Sequence, residues 1–280
     1  MLYNDKLTIV ANWKMNPTDY ASAIELCNLY LKNLDFTKIN LIIAPPTIYL
    51  FSLVNLLKQQ DLNSNQTQTK QNSGSIFLSI QNFCAESNGA FTGDTSVKMV
   101  KDLRVNFAIL GHSECRKYYQ ETDQLIAKKV ILALQEAMIP IICIGETQEQ
   151  FFQGDQAVKE FLQQQLLSII KQINSLPENV KVNHVFIAYE PVWAIGSGVD
   201  VDLNYIQQNI SYITNIINTL LINKINQNLK FYLLYGGSVN QNNAKEILQL
   251  TDLGGILVGG SSLKFQQFNQ ICKSVDYVCL

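Results

Sequence analysis

Three reactive side chains stand just past short apolar runs: Lys14 after Leu7 to Ala11, His112 after Phe107 to Leu110, and Glu190 after His184 to Tyr189. Two Gly-Gly pairs, in Tyr235-Gly236-Gly237-Ser238 and Val258-Gly259-Gly260-Ser261, follow two further runs in the same way. A carboxylate can act as a base, an imidazole can donate a hydrogen bond or carry a proton near neutral pH, and an ammonium is a fixed positive charge. Glycine-rich turns let backbone N–H groups approach an anion, and helix N-termini behind them favour it electrostatically. Such a set could move a proton beside a carbonyl in a small phosphorylated molecule, provided that the fold brings its members to one place.

Each piece also has a plainer reading. Asn12 and Lys14 lie two apart in Ala-Asn-Trp-Lys-Met-Asn, so an extended backbone would point both into one pocket; a lysine snorkelling from a rim is the alternative. Gly111-His112-Ser113-Glu114 puts His112 at the start of a short helix, where imidazolium is disfavoured and a neutral ring donating to an oxygen is expected. Glu114 then either complements the helix dipole or supports the site. In Tyr189-Glu190-Pro191-Val192-Trp193 the proline ends regular strand pairing just after the carboxylate. The apolar tip and glycines of Ala194-Ile195-Gly196-Ser197-Gly198 have the composition of a closing lid. Gly196-Ser197-Gly198 lacks the third glycine of a dinucleotide fingerprint, so no nicotinamide cofactor is inferred. His184, ahead of a strand, reads as structural.

The elements that must position these groups alternate along the whole chain. Strands are expected at Leu7 to Ala11, Asn40 to Ala44, Ile76 to Gln81, Phe107 to Leu110, Ile139 to Ile144, His184 to Tyr189, Lys230 to Leu234 and Gly255 to Val258. Their continuous apolar character implies burial on both faces. Amphipathic helices are expected at Thr18 to Lys32, Tyr49 to Gln60, Asp123 to Ala137, Gln156 to Asn174, Leu203 to Leu221, Gln241 to Leu248 and Phe265 to Ser274. Repeated β-α units of this number predict an α/β fold, a (β/α)8 barrel of eight parallel strands in one domain spanning 1–280. Asp61 to Ser75, dominated by Asn, Gln, Ser and Thr, breaks the rhythm and reads as a polar surface insertion on the side away from the reactive mouth.

Composition narrows the function. A length of 280 residues suits one large domain, and a net charge of -2 offers no broad basic field for nucleic acid. No apolar run reaches the roughly 20 residues that span a bilayer, and Met1 to Val10 lacks the form of a secretory signal, so a cytoplasmic protein is expected. Cys27, Cys84, Cys115, Cys143, Cys272 and Cys279 show no metal-ligand spacing and read as free, mostly buried thiols.

At Ala11 to Asn16, Gln81-Asn82, Gly89 to Gly93, Gly111 to Glu114, Cys143 to Glu146, Ala188 to Gly196, Tyr235 to Val239 and Leu257 to Gly260 the chain resembles the triosephosphate isomerase family, nearly from end to end. The resemblance implies interconversion of dihydroxyacetone phosphate and D-glyceraldehyde 3-phosphate with neither metal nor organic cofactor. It assigns to Glu190, His112 and the lid the roles for which that family is a standard example: base, neutral electrophile and cover. Lys14 would supply positive charge, Asn12 would orient the substrate, and backbone around Gly196, Ser238, Gly259 and Gly260 would grip phosphate. The family is usually a homodimer whose loop around Phe83 to Asp94 enters the neighbour. Asp94 and Cys115 stand where the family commonly has glutamate and arginine, and Val199-Asp200-Val201 replaces its usual lid hinge. A barrel kept as a scaffold or phosphosugar sensor would lack at least one of the catalytic groups.

Overall fold

Strand-forming runs that are apolar at every position can be buried only if both faces of their sheet are covered, and every residue of β1 (Leu7–Asn12) and β2 (Ile39–Ala44) is buried. The structure, a computed structural model, describes residues 6–66, 76–176, 184–221 and 229–278. Among these, β1 and β2 are joined by β3 (Ile76–Ile80), β4 (Phe107–Leu110), β5 (Ile139–Ile144), β6 (His184–Tyr189), β7 (Lys230–Tyr235) and β8 (Leu253–Val258) in a closed parallel barrel. Closure comes from β1 pairing with β8, Thr8 facing Gly255 and Ala11 facing Val258. This is the (β/α)8 architecture expected from the sequence.

Helices follow the strands in order: α1 (Tyr20–Asn33), α2 (Leu50–Gln66), α3 (Val97–Asp102), α4 (Ser113–Tyr118), α5 (Asp123–Gln135), α6 (Gln148–Gln153), α7 (Asp155–Ile173), α8 (Leu203–Leu221), α9 (Ala244–Leu248) and α10 (Phe265–Lys273). Two of these, α3 and α6, were not anticipated. Each is too short to show a helical repeat, and each begins at a side-chain cap, Ser96 accepting from Met99 N–H and Thr147 from Glu149 N–H. Helix α2 runs to Gln66 instead of ending at Gln60, so the first residues of the polar stretch at 61–75 continue a helix. Residues 67–75 lie outside the described residues.

The strands alternate between two cores, with one register shift where β7 meets β8, Leu233 facing Leu253 and Leu234 facing Gly255. Val10, Ile42, Ile109, Ile141, Phe186, Leu234 and Leu257 point into the barrel, while Ile9, Leu41, Ile142, Ile187 and Ile256 pack outward on the helices. Phe77, Phe107, Phe186 and Tyr232 fill the N-terminal end, with ring centroids 5.5 Å apart for Phe77–Phe107 and 5.3 Å for Phe186–Tyr232. That floor leaves the opposite end as the mouth. Cys27, Cys143 and Cys272 are buried free thiols and Cys84 and Cys115 are half-buried ones; Cys279 lies outside the described residues.

Closure sets a steric limit at one position. Gly255 has φ +152°, and a Cβ placed on it would fall 1.8 Å from the Thr8 carbonyl oxygen. Gly255→Ala therefore has to part β1 from β8, and it is expected to destabilise the protein by about 3 kcal/mol or more, at or beyond the upper range for overpacking. Urea unfolding of the variant beside the parent checks this; an unchanged midpoint would refute it.

Candidate active site

The alternation that fills the barrel continues past the strand ends. Residues two beyond the last inward side chains are Asn12, Gln81, Gly111, Glu190, Gly236 and Gly259, so the inward phase delivers polar groups and glycines to the mouth. Glu190 is buried, 1% exposed, with its Oε2 accepting from the Ser113 N–H at 3.1 Å. Its Oε1 has no hydrogen bond of good geometry and lies 3.5 Å from His112 Nε2. The two glycines make room beside reactive groups: a Cβ on Gly236 would stand 3.0 Å from Glu190 Cγ, and one on Gly259 would stand 3.2 Å from Lys14 Cε. Gly145, after β5, allows a closer approach still, since a Cβ there would sit 1.7 Å from the Glu190 carbonyl oxygen.

His112 caps α4, its Nδ1 accepting from the Glu114 N–H at 3.2 Å. A ring nitrogen that accepts a backbone N–H carries no proton, so the proton of the neutral ring is on Nε2, the nitrogen turned to Glu190. Lys14 arrives differently from expectation. Strand β1 ends at Asn12, and Lys14 has φ +53°, a left-handed residue and not part of an extended run. The Asn12 Oδ1 stabilises that turn by accepting from the Lys14 N–H at 3.0 Å. Gln81 holds the same turn from β3, its Nε2 donating to the carbonyls of Lys14 at 2.7 Å and Ala44 at 2.8 Å.

Glu114 is more than a complement to the helix dipole. Its Oε1 pairs with Lys14 Nζ at 2.7 Å. Both side chains are partly exposed, so the pair contributes only about 0–1 kcal/mol to stability; what it does is hold the ammonium at the mouth beside Gly259. The i+2 spacing from His112 carried this hint, but a glutamate in a first helical turn is too common to be read as a site residue.

Glu146 was quoted in the sequence only as part of a motif, and the structure shows it anchoring the segment that follows Pro191. It is fully buried, and its Oε1 accepts from Trp193 Nε1 at 2.8 Å, the Tyr205 hydroxyl at 2.9 Å and the Tyr189 hydroxyl at 3.2 Å. Its carbonyl accepts from the Val192 N–H at 3.0 Å. Phe151 stacks on the Trp193 indole at 4.0 Å between centroids. Burial raises the Glu146 pKa, opposed in part by these donors. The first turn of the lid, residues 192–194, is thereby held to the β5–α6 connection, while Gly196 to Asp200 stand exposed. Nothing stands within 4 Å of a Cβ position on Gly196, so that residue is not packed against the others here. Ser238 and Gly260 occupy the loops after β7 and β8, the second at the start of a short 3-10 turn.

Asn12, Lys14, His112 and Glu190 therefore meet at one mouth with Gly236 and Gly259 between them. Residues 7–275 match the sequence profile of the triosephosphate isomerase family. The chain belongs to the triosephosphate isomerase family. It is 35% identical over 274 residues to the triosephosphate isomerase of Francisella philomiragia, covering 97% of this chain and 98% of that one. It is 36% identical over 270 residues to that of Buchnera aphidicola subsp. Acyrthosiphon pisum, covering 96% of both. A second Buchnera relative, from subsp. Cinara cedri, is 35% identical over 273 residues, with 95% and 97% covered. The chain is accordingly an isomerase, interconverting dihydroxyacetone phosphate and D-glyceraldehyde 3-phosphate.

Where this chain departs from the family pattern at Cys115, neighbouring groups form a network of their own. Asn82 Nδ2 donates to Glu121 at 2.7 Å and lies 3.7 Å from the Cys115 sulfur, and buried Lys129 pairs with Glu121 and donates to Asn82 Oδ1 at 2.9 Å. Burial and the Glu121 carboxylate push the Cys115 thiol up to about 11. Asp94 is exposed. Removing one partner of a buried ion pair leaves a bare charge, so Lys129→Met is expected to cost about 3–5 kcal/mol, and adding Glu121→Leu is expected to recover most of it. Denaturant midpoints of the two variants decide this; a double variant as unstable as the single one would overturn it.

Proposed function

We propose that Glu190 is the base of the isomerisation. The observation that supports it best is its buried Oε1, without a hydrogen bond, beside the Nε2 of a ring whose tautomer is set by α4. Glu190 removes the carbon-bound proton next to the carbonyl, the carbonyl oxygen becomes an enediolate oxygen, and the same carboxyl returns the proton to the neighbouring carbon. His112 donates through Nε2 to the two oxygens in turn, and Lys14 supplies positive charge where negative charge develops. Aldose and ketose are isomers, so protons change place and nothing is oxidised overall. Asn12 acts on the substrate through the turn it gives Lys14. Phosphate is gripped by backbone N–H groups around Gly196, Ser238, Gly259 and Gly260 once the lid has moved inward.

The same reading places the chain in the cytoplasm as a single domain with a polar insertion, with no nucleic acid or membrane as partner. No helix among the described residues is long and apolar enough to cross a membrane. A homodimer is supported by an apolar surface on the connections after β1, β2 and β3. Met15 is 88% exposed and Ile48 81%, with Phe51, Phe91 and Met99 exposed in the same sector. The loop from Phe83 to Asp94 is a compact excursion, Cys84 N–H bonding to the Thr95 carbonyl and Asp94 N–H to the Phe91 carbonyl, which carries Phe91 outward.

Two measurements test this. Glu190→Gln is expected to lower kcat by about 10²- to 10⁴-fold with circular dichroism and KM little changed; full turnover would remove Glu190 as the base. Specific activity followed across protein concentration together with sedimentation is expected to fall as the dimer dissociates, and a fully active monomer would reject the subunit requirement.

A further inference from the structure

The lid has two ends, and the second is tied by residues to which the mechanism above assigns no task. Asp200, within the segment Val199-Asp200-Val201 that departs from the family hinge, accepts through Oδ1 from Asn243 Nδ2 at 2.9 Å and lies 3.5 Å from Asn240 Nδ2. The Asn243 amide nitrogen is shared, because it also donates to the Ser238 carbonyl at 3.0 Å. Its Oδ1 accepts from the Asn240 N–H at 2.9 Å, so its orientation is set on both sides. The next residue but one of the lid, Asp202, is already fixed to the scaffold, accepting from the Tyr205 N–H at 3.0 Å as α8 begins.

The link continues to the last phosphate loop. Val239, next to Ser238, accepts through its carbonyl from Ser261 Oγ at 3.0 Å, and Ser261 follows Gly260. One chain of hydrogen bonds thus joins the lid, the loop after β7 and the loop after β8, the three segments from which backbone donors would reach one phosphate. Apolar packing against the core resumes only at Val201, one residue further on. Val199 is 48% exposed, and a cavity of about 150 Å³ lies between Asp200, Tyr235, Ser238, Asn243 and Ile247.

We propose that Asp200 is a positioning residue for phosphate: through Asn243 it fixes the C-terminal end of the lid and the orientation of the Ser238 backbone as one unit. The proposal rests on the isomerase reading of the site. Its physical content is entropic. With Trp193 held at one end and Asp200 at the other, the segment that must be ordered around the phosphate is confined to the residues between them; without Asp200 it lengthens, and ordering the longer segment lowers affinity. The carboxylate serves as a hydrogen-bond acceptor, so an amide of the same shape should replace it.

Asp200→Ala and Asp200→Asn, with the parent, are compared in three assays. The first is steady-state isomerisation of D-glyceraldehyde 3-phosphate. The second is deuterium exchange into unphosphorylated D-glyceraldehyde, and the third is calorimetric binding of glycerol 3-phosphate, which cannot isomerise. Loss of one such hydrogen bond is expected to raise KM and weaken glycerol 3-phosphate binding by about fivefold in Asp200→Ala, with kcat changed less than twofold. Exchange into glyceraldehyde is expected to stay at the parent rate, and Asp200→Asn to match the parent throughout. Unchanged KM and binding in Asp200→Ala would overturn the proposal, as would an equal loss on both aldehydes, which marks general damage. An Asp200→Asn variant as impaired as Asp200→Ala would do so too, since charge would then be what matters. A parent that binds glycerol 3-phosphate but turns over no triose phosphate defeats the isomerase reading alone; a parent that binds neither defeats both.

Discussion

Everything at the mouth depends on the pairing of parallel strands in a closed ring, which forces every second side chain onto the barrel axis. The inward phase is filled by Val10, Ile42, Ile109, Ile141, Phe186, Leu234 and Leu257, and the aromatic floor seals one end. The other end is left open. There the same phase presents Asn12, Gln81, Glu190, Gly236 and Gly259, so the site is the top layer of the barrel. A shift of one residue in any strand would exchange its inward and outward sets and take the site apart.

Burial and solvation divide the carboxylates of this region into different tasks. Glu190 is buried with its unbonded Oε1 3.5 Å from His112 Nε2, the setting that supports the proposed role of base. Glu146 is buried with three donors on one oxygen, which makes it an anchor for Trp193 and the lid. Glu114 is partly exposed and paired with Lys14, contributing little to stability and much to direction. The Cys143 thiol, sealed in the barrel, is pushed well above the ordinary thiol range by burial first and the Glu190 carboxylate next, so it stays protonated beside Glu190.

The lid is a short segment between two polar ties of different character. At its start Trp193 combines a hydrogen bond to buried Glu146 with a stacked ring. At its end Asp200 is exposed and relies on amide donors from the loop after β7. The two ties differ in solvent exposure, but both hold an end of the segment to the loops around the mouth.

Continuous apolar runs alternating with helical patterns, the spacing of Lys14, His112 and Glu190 behind those runs, and the paired glycines were local features, so the barrel and the residues at its mouth could be read from the chain alone. The reasons for their placement could not all be read that way. Lys14 reaches the mouth through a left-handed turn held by Asn12 and Gln81, the latter distant in sequence. Helices α3 and α6 rest on caps, with no hydrophobic repeat to reveal them. Glu114 pairing with Lys14, Tyr205 bonding Glu146, and Asp200 meeting Asn243 join residues far apart along the chain, which sequence periodicity cannot encode. Local pattern determined which strands form and what they end in; closure of the ring decided which side chains meet, because only closure brings the ends of β1, β4 and β6 around one space.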